Sequence, residues 1–316
     1  MAGSTGGPSH AETSAHLYDA VGQIWLEMFG EHVHVGYYPE GWPESKHKKT
    51  WQQAQLDHVD AVLEFAGVNK ANRLLDLGCG YGGTAVHIAE RLKCKAVGVN
   101  ISPFQVQAAN NLARRLSFGE KEVYFVVGDA LQPDLPDGCA DLVVSVESAA
   151  YMPCKEKFVA QLARLCAPGG TVILVDFCRA AGPISASLQQ RLASMDSIFA
   201  TPGNWHSAEQ YKQLMGKCGL QVVRDGDWTR NVCGFWNVGL WSLLLRASQP
   251  DMSFGQWYKE FNKRAFHTLW LFLTGGPAVL KMAAGYMLGH QKAVVQGGLD
   301  SGVLEYHVIV AKKPGK

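Results

Sequence analysis

The sequence predicts an α/β fold: a seven-stranded, mostly parallel sheet with helices on both faces and a helical lid inserted before the last strand. Three observations carry this expectation. From about residue 55 to 232, short apolar runs alternate with helix-length segments, the pattern of repeated βαβ units. Within that stretch Leu74-Leu75-Asp76-Leu77 ends on a carboxylate side and breaks at once into Gly78-Cys79-Gly80-Tyr81-Gly82-Gly83, a turn crowded with glycine. A last apolar strand then stands about eighty residues beyond its predecessor, whereas ordinary connections run roughly 2 to 6 residues.

The elements follow in order. A Gly/Ser-rich start gives way near Ala11 to a helical stretch, and the polar run Glu44 to Lys49 precedes a helix from about Thr50 to Phe65. After the first strand and its turn, Thr84 to Leu92 reads as a helix that completes half of a βαβ unit. Lys95 to Asn100 is the second strand, and Ser102-Pro103 supplies a cap and a first-turn proline for the next helix. The third strand, Val123 to Ala130, finishes on Asp129; the fourth is Asp141 to Glu147; Ala167-Pro168-Gly169-Gly170 leads into the fifth, Thr171 to Val175. Residues 185 to 198 read as a helix, and Ser207 with Gln210 forms a capping box for a helix ending at Gly219. Leu220 to Val223 is strand six and Val303 to Val310 the final strand. The expected organisation is a helical cap over residues 1–54, a cofactor-binding core over 55–232, an aromatic-rich substrate lid over 233–300, and a final strand and tail over 301–316.

Charge decides which cofactor the turn prefers. Gly78, Gly80 and Gly83 satisfy the G-x-G-x-x-G spacing of dinucleotide enzymes, so a NAD-dependent oxidoreductase is one alternative. A dinucleotide sets its pyrophosphate against the turn and the helix N-terminus, and Asp76 would bring negative charge towards that anion. S-adenosylmethionine instead carries an ammonium and a sulfonium, which a carboxylate favours. Strand two ends on Asn100, where a dinucleotide enzyme carries an acid for its ribose. Gln105, one turn into the next helix, is placed to reach a ribose hydroxyl, and Asp129 to accept from an adenine amino group.

These residues resemble the class I S-adenosylmethionine-dependent methyltransferases, whose motifs are the Asp-x-Gly-x-Gly turn, a ribose-binding position after strand two and Gly-Asp-Ala after strand three. The resemblance covers roughly residues 55 to 180 and implies a Rossmann-like core. Outside it, Leu17-Tyr18-Asp19 with Trp25, then His32-Val33-His34-Val35-Gly36-Tyr37-Tyr38, and Val146 to Pro153 are similar to the tocopherol-methyltransferase branch. That branch includes plant alkaloid N-methyltransferases and is more distantly similar to sterol C-methyltransferases and cyclopropane synthases. The resemblance implies S-adenosylmethionine as cofactor, held by Tyr18, Gly36, Asp76, Gly78, Gly80, Asn100, Ile101, Gln105, Asp129, Ala130 and Glu147.

Methyl transfer from a sulfonium needs alignment, exclusion of water and removal of a proton from the acceptor. Glu147, at the end of strand four, is the first candidate for substrate contact or general base, against the alternative that it orders its loop. His34 is a candidate contact to lid or cofactor, and Tyr151 a substrate contact or packed aromatic. Members of the branch often carry His where this chain has Tyr151, which weakens any proton-transfer role there. His32 and His34 share a face of an extended chain, but no third ligand stands at recognisable spacing, so no metal is expected. The substrate expected is a small, largely apolar molecule such as a prenylated hydroquinone; alkaloid or amine N-methylation, sterol C-methylation and a non-catalytic binding module are the alternatives.

Composition narrows partners more than chemistry. With 29 basic and 28 acidic side chains, no broad field draws the chain to nucleic acid. The eight cysteines form no C-x-x-C pair and read as reduced thiols, Cys79 as a space-filler in the turn. The first fifteen residues show no signal or transit pattern, which suggests a cytoplasmic protein, or a plastid one if a leader has been removed. Thr268 to Leu288 is apolar enough to test as a membrane span; Gly275-Gly276-Pro277 and Lys281 argue instead for two lid helices, with peripheral membrane contact still open. A monomer or homodimer is expected.

Overall fold

The computed structural model describes residues 22, 26, 30–41, 49–119, 121–199, 201–235 and 303–315. Tyr18, Trp25, most of the expected cap and nearly all of the expected lid lie outside the described residues. Helix α1 spans Trp51–Ala66, with Thr50 as a side-chain cap and Gly67 in the left-handed region at its end. The boundary expected at residue 54/55 therefore falls inside a helix. Strand β1 (Arg73–Leu77) leads through the glycine turn to α2 (Gly83–Leu92), then β2 (Lys95–Asn100), α3 (Pro103–Arg115), β3 (Val123–Val127) and β4 (Ala140–Val146). A 3-10 turn at Ala149–Tyr151 precedes α4 (Lys155–Leu165), β5 (Cys166–Arg179), α5 (Ala186–Phe199), α6 (Ala208–Lys217), β6 (Gln221–Asp227), the single turn α7 (Thr229–Val232) and β7 (Leu304–Lys312).

The strands form one seven-stranded sheet in the order β3-β2-β1-β4-β5-β7-β6. Strands β1 to β5 pair in parallel, and β7 runs antiparallel between β5 and β6. Alternate residues of the central strands enter two separate cores. Leu74, Val144, Ile173, Val175 and Val308 pack with α1, α2 and α3, whereas Leu75, Leu77, Val143, Leu174 and Ile309 pack with α4 and α6. Burial on both faces is why these strands read in the sequence as apolar runs and not as alternating ones. Among the described residues, no helix is long and apolar enough to cross a membrane.

Three expected boundaries shift. Strand three stops at Val127, so Gly128, Asp129 and Ala130 lie in the following loop. Strand β5 is 14 residues long, not five: it starts at Cys166 opposite Ala140, passes an irregularity in the β4 register and continues to Arg179 because β7 pairs with it from Thr171 to Arg179. Strand β6 extends to Asp227 on the strength of backbone pairing to β7, and its Arg224, Asp225 and Asp227 carry no hydrophobic signal.

Packing at the switch between strands fixes the site. Gly82, at φ +81°, caps α2, and a Cβ there would lie 2.6 Å from Phe125 and 2.8 Å from Ala109. At Gly78, φ +88°, a Cβ would meet Ser148 at 2.4 Å, so the turn after β1 sits directly on the loop after β4. Ser148 binds the two together by donating to Leu77 O at 3.0 Å.

The loop after β4 has its own buried clamp. Lys155 Nζ donates to Ala150 O at 2.9 Å, Met152 O at 2.7 Å and Asn204 Oδ1 at 2.8 Å, while Asp176 accepts from Ala150 N at 3.1 Å and Phe177 N at 2.7 Å. Both side chains are 1% exposed. Burial pushes the Asp176 carboxyl up and the Lys155 ammonium down, and each charge opposes the shift of the other. Removing one charge strands its partner in a dry site. We expect Lys155→Met to destabilise the fold by about 3 kcal/mol at neutral pH, read as a fall in C_m at unchanged m in urea unfolding. An unaltered midpoint would show that the clamp contributes nothing.

Candidate active site

The carboxyl ends of β1, β2 and β4 and the loop after β3 bring most of the expected residues to one edge, the place where open α/β sheets bind ligands. Asp76 is the fourth residue of β1, paired with Gly98 across to β2, and is 2% exposed. Its Oδ2 is buried and has no hydrogen-bond partner among the described residues. Burial pushes this carboxyl up to about 7. Gly78 N and Cys79 N both donate to Val99 O, at 2.9 and 3.1 Å, which extends the β1–β2 pairing into the turn. Gly80 is left-handed at φ +52°, and among the described residues the nearest atom a Cβ would meet is Val33 Cγ2 at 3.7 Å, so its glycine is required by the backbone and not by crowding from them. Cys79 is buried and its thiol is raised far above the ordinary range by burial first, consistent with a space-filling residue and not a nucleophile.

Asn100 and Gln105 come together. Asn100 Nδ2 donates to Gln105 Oε1 at 2.5 Å, and the helix that carries Gln105 is capped by Ser102, whose Oγ accepts from Gln105 N at 3.1 Å. Ile101 lies in the bend between Asn100 at the end of β2 and Ser102 at the start of α3. Asp129 Oδ1 accepts from Leu131 N at 2.8 Å, which folds the loop after β3 back on itself, and the neighbouring Ala130 is buried.

Glu147 stands one residue beyond β4 with φ +50°, a region that non-glycine residues rarely occupy. Its backbone N–H donates to Val175 O at 2.8 Å, so the sheet holds the backbone while the side chain turns away. Oε1 accepts from Val35 N and from the Tyr306 hydroxyl, both at 2.9 Å, and Oε2 takes no hydrogen bond among the described residues. Burial pushes the carboxyl up to about 8 even though both donors favour the charged form. Tyr151 closes the 3-10 turn and is half-buried against the core.

The segment before α1 packs His34 and Gly36 against the protein. His34 is 5% exposed, with Nδ1 2.9 Å from Val35 O and Nε2 3.1 Å from His32 Nδ1. Both ring nitrogens are thus engaged within the protein, and burial lowers the imidazole to about 4. Gln55 fixes this arrangement by donating to His32 O at 2.5 Å and His34 O at 2.9 Å. Gly36 has a packing reason for lacking a side chain: a Cβ would lie 2.5 Å from Ala54 Cβ and 2.9 Å from Phe235. The neighbouring Val35, through its N–H on Glu147, is what ties this segment to the site. Among the described residues no group of three or more His, Cys, Asp or Glu could hold a metal.

Residues 68–225 match the family model described as a methyltransferase domain. The chain is also 35% identical over 317 aligned residues to a probable tocopherol O-methyltransferase, chloroplastic, of Oryza sativa subsp. japonica, covering 97% of this chain and 79% of that protein. It belongs to the S-adenosylmethionine-dependent methyltransferases. The methyltransferase is likewise 33% identical to ajmaline N-methyltransferase of Rauvolfia serpentina, over 70% of this chain and 78% of the relative. Its fold matches the crystal structure of geranyl diphosphate C-methyltransferase from Streptomyces coelicolor A3(2), solved with S-adenosyl-L-homocysteine, at a TM-score of 0.68 and 20% identity over 98% of this chain and 100% of the other. The methyltransferase takes S-adenosylmethionine as its cofactor.

Sequence reasoning missed Tyr306, His58 and the Lys155–Asp176 clamp. One signal was present for His58. It shares a helix face with Gln55, Val59 and Val62, and polar side chains inside an apolar stripe mark a buried polar network.

Proposed function

We propose that this methyltransferase acts on a prenylated hydroquinone of the tocopherol type, with Glu147 as the base that takes the phenolic proton. The observation that carries the substrate class is the 35% identity with the rice tocopherol O-methyltransferase across 97% of this chain. When bound, the cofactor supplies a methyl group on a positively charged sulfur. In this proposal the unpartnered Asp76 Oδ2 accepts from the amino group of the cofactor, and Gly78 and Gly80 allow the backbone to come close. Asn100, Ile101 and Gln105 hold the ribose, and Asp129 with Ala130 takes the adenine. Tyr18 and Gly36 are assigned to the methionine end on family resemblance.

Glu147 does its work through Oε2, the oxygen without a partner. The phenol O–H bond breaks, its proton passes to Oε2, and the electron pair stays on the phenolate. That pair raises nucleophilicity at the oxygen and at the adjacent ring carbons, the positions open to methylation. A carboxyl raised to about 8 is a stronger base than an ordinary glutamate, which suits a weakly acidic phenol.

A second reading, N-methylation of an alkaloid amine, is favoured by the 33% identity with ajmaline N-methyltransferase. Incubation with S-adenosylmethionine labelled in its methyl group, against prenylated hydroquinones, indole alkaloids and sterols, separates the two. We expect label in the hydroquinone; label confined to an alkaloid or a sterol would overturn the substrate assignment.

A further inference from the structure

Behind Glu147 runs a row of hydrogen bonds between residues far apart in the chain. The Tyr306 hydroxyl on β7 lies 2.9 Å from Glu147 Oε1 and 3.0 Å from Nε2 of His58 on α1. His58 is fully buried and Tyr306 is 1% exposed. The row ends blind among the described residues, where Nδ1 of His58 is buried with no hydrogen-bond partner. Rings pack around the imidazole: those of Tyr306 and Trp228 meet it edge-on with centroids 5.7 and 6.0 Å away, and the His34 ring centroid lies 4.9 Å away.

The blind end decides what the row does. A proton relay needs His58 to accept a proton and pass it on, but a second N–H on the ring would point where no acceptor stands. Burial first, then the neighbouring His34 and His32, hold the imidazole well below its ordinary range, so it stays neutral. A neutral ring has one N–H, and a buried acceptor without a partner is better tolerated than a buried donor without one. The N–H therefore sits on Nε2 and donates to Tyr306, and Tyr306 donates to Glu147. The polarity of the row is fixed, with its donors aimed at the carboxylate.

We infer that Tyr306 and His58 are positioning residues for Glu147: they present a donor of fixed direction to Oε1, sustain the ionised carboxylate in a buried place, and leave Oε2 as the oxygen that takes the proton. The inference rests on the assignment of Glu147 as base. The groups facing the carboxylate act in both directions. Val35 N–H from the segment before α1 and Tyr306 from β7 favour the ionised form, and Asp176 from β5 opposes it by like charge. Of the other groups beside the row, His34 is held neutral by burial, as is Cys178 on β5, whose thiol is pushed far up.

The test uses two readouts on the full chain. The first is the titration midpoint of the Glu147 carboxyl by carbon-13 NMR of glutamate-labelled protein saturated with S-adenosylhomocysteine, assigned by its absence in Glu147→Gln. The second is the pH profile of kcat and KM with the acceptor that the panel identifies. Removing one hydrogen bond to a carboxylate raises its pKa by roughly one unit. We expect Tyr306→Phe to move the midpoint alkaline by about one unit and to lower kcat at pH 7 roughly tenfold, with recovery at higher pH and KM within about twofold. His58→Gln, whose amide N–H can replace the Nε2 donor, should shift the midpoint less than His58→Leu does. An unmoved midpoint in folded Tyr306→Phe, or equal shifts in both His58 variants, overturns the inference. If Glu147→Gln keeps the full rate, the base assignment fails, while the NMR midpoint still reports separately on positioning.

Discussion

Asp76→Asn is expected to weaken S-adenosylhomocysteine binding by roughly a hundredfold to a thousandfold, the consequence of taking one charge out of a buried pair. The carboxyl is 2% exposed and its Oδ2 has no partner among the described residues, so in the proposed site the amino group of the ligand supplies the missing hydrogen bond and the countercharge. Asparagine keeps the shape and loses the charge. The pH dependence has a definite sign. With its carboxyl raised to about 7 in the free protein, wild-type affinity rises with pH up to about 7 and levels off above it, whereas the asparagine variant lacks this rise. Stability moves the other way. A carboxyl raised in the folded state keeps a proton that the unfolded chain gives up, so Asp76 makes the free protein less stable as pH rises from about 4 to 7. The asparagine variant should therefore melt no lower than wild type at pH 8. Calorimetric titration across that pH range, paired with thermal unfolding, measures both; equal affinities for the two proteins would remove Asp76 from cofactor recognition.

Glu147→Gln is expected to lower kcat by roughly 10²-fold to 10⁴-fold, the usual scale of a general base. The amide oxygen can still accept from Val35 N and Tyr306, so the segment before α1 stays attached and cofactor affinity should change only a few-fold. In wild type the rate should climb with pH up to about 8, because the base acts in its ionised form. Single-turnover rates at saturating cofactor give the comparison, and a glutamine variant within about threefold of wild type would leave Glu147 as a residue that only orders its loop.

The half of the fold around the cofactor was legible because its central strands β1 and β4 are parallel and buried on both faces, which writes them as apolar runs, and because positive φ at Gly78, Gly80 and Gly82 demands glycine. Strand β6 was only partly legible. It lies at the edge of the sheet, and Arg224 to Asp227 are held by backbone pairing to β7 and by polar contacts such as those of Lys212 and His307 with Asp225, none of which leaves a hydrophobic pattern. Glu147 was found by its place after strand four, but its left-handed backbone was not, since nothing local dictates φ +50° at a glutamate. The surroundings of His34 were not legible: only the fold shows its ring against His32 and its own backbone carbonyl held by Gln55. Tyr306 and His58 were invisible as a pair because 248 residues separate them, and their meeting depends on β7 entering between β5 and β6.

The Asp76 carboxylate, one residue from the end of β1, exists to meet a cation. Titration of S-adenosylhomocysteine into the protein at pH 7, in two buffers of different ionisation heat, counts the protons exchanged on binding. A carboxyl at about 7 that becomes fully ionised against an ammonium group releases roughly half a proton, and Asp76→Asn releases none. Binding with no proton released by wild type, or with the same release from both proteins, would contradict it.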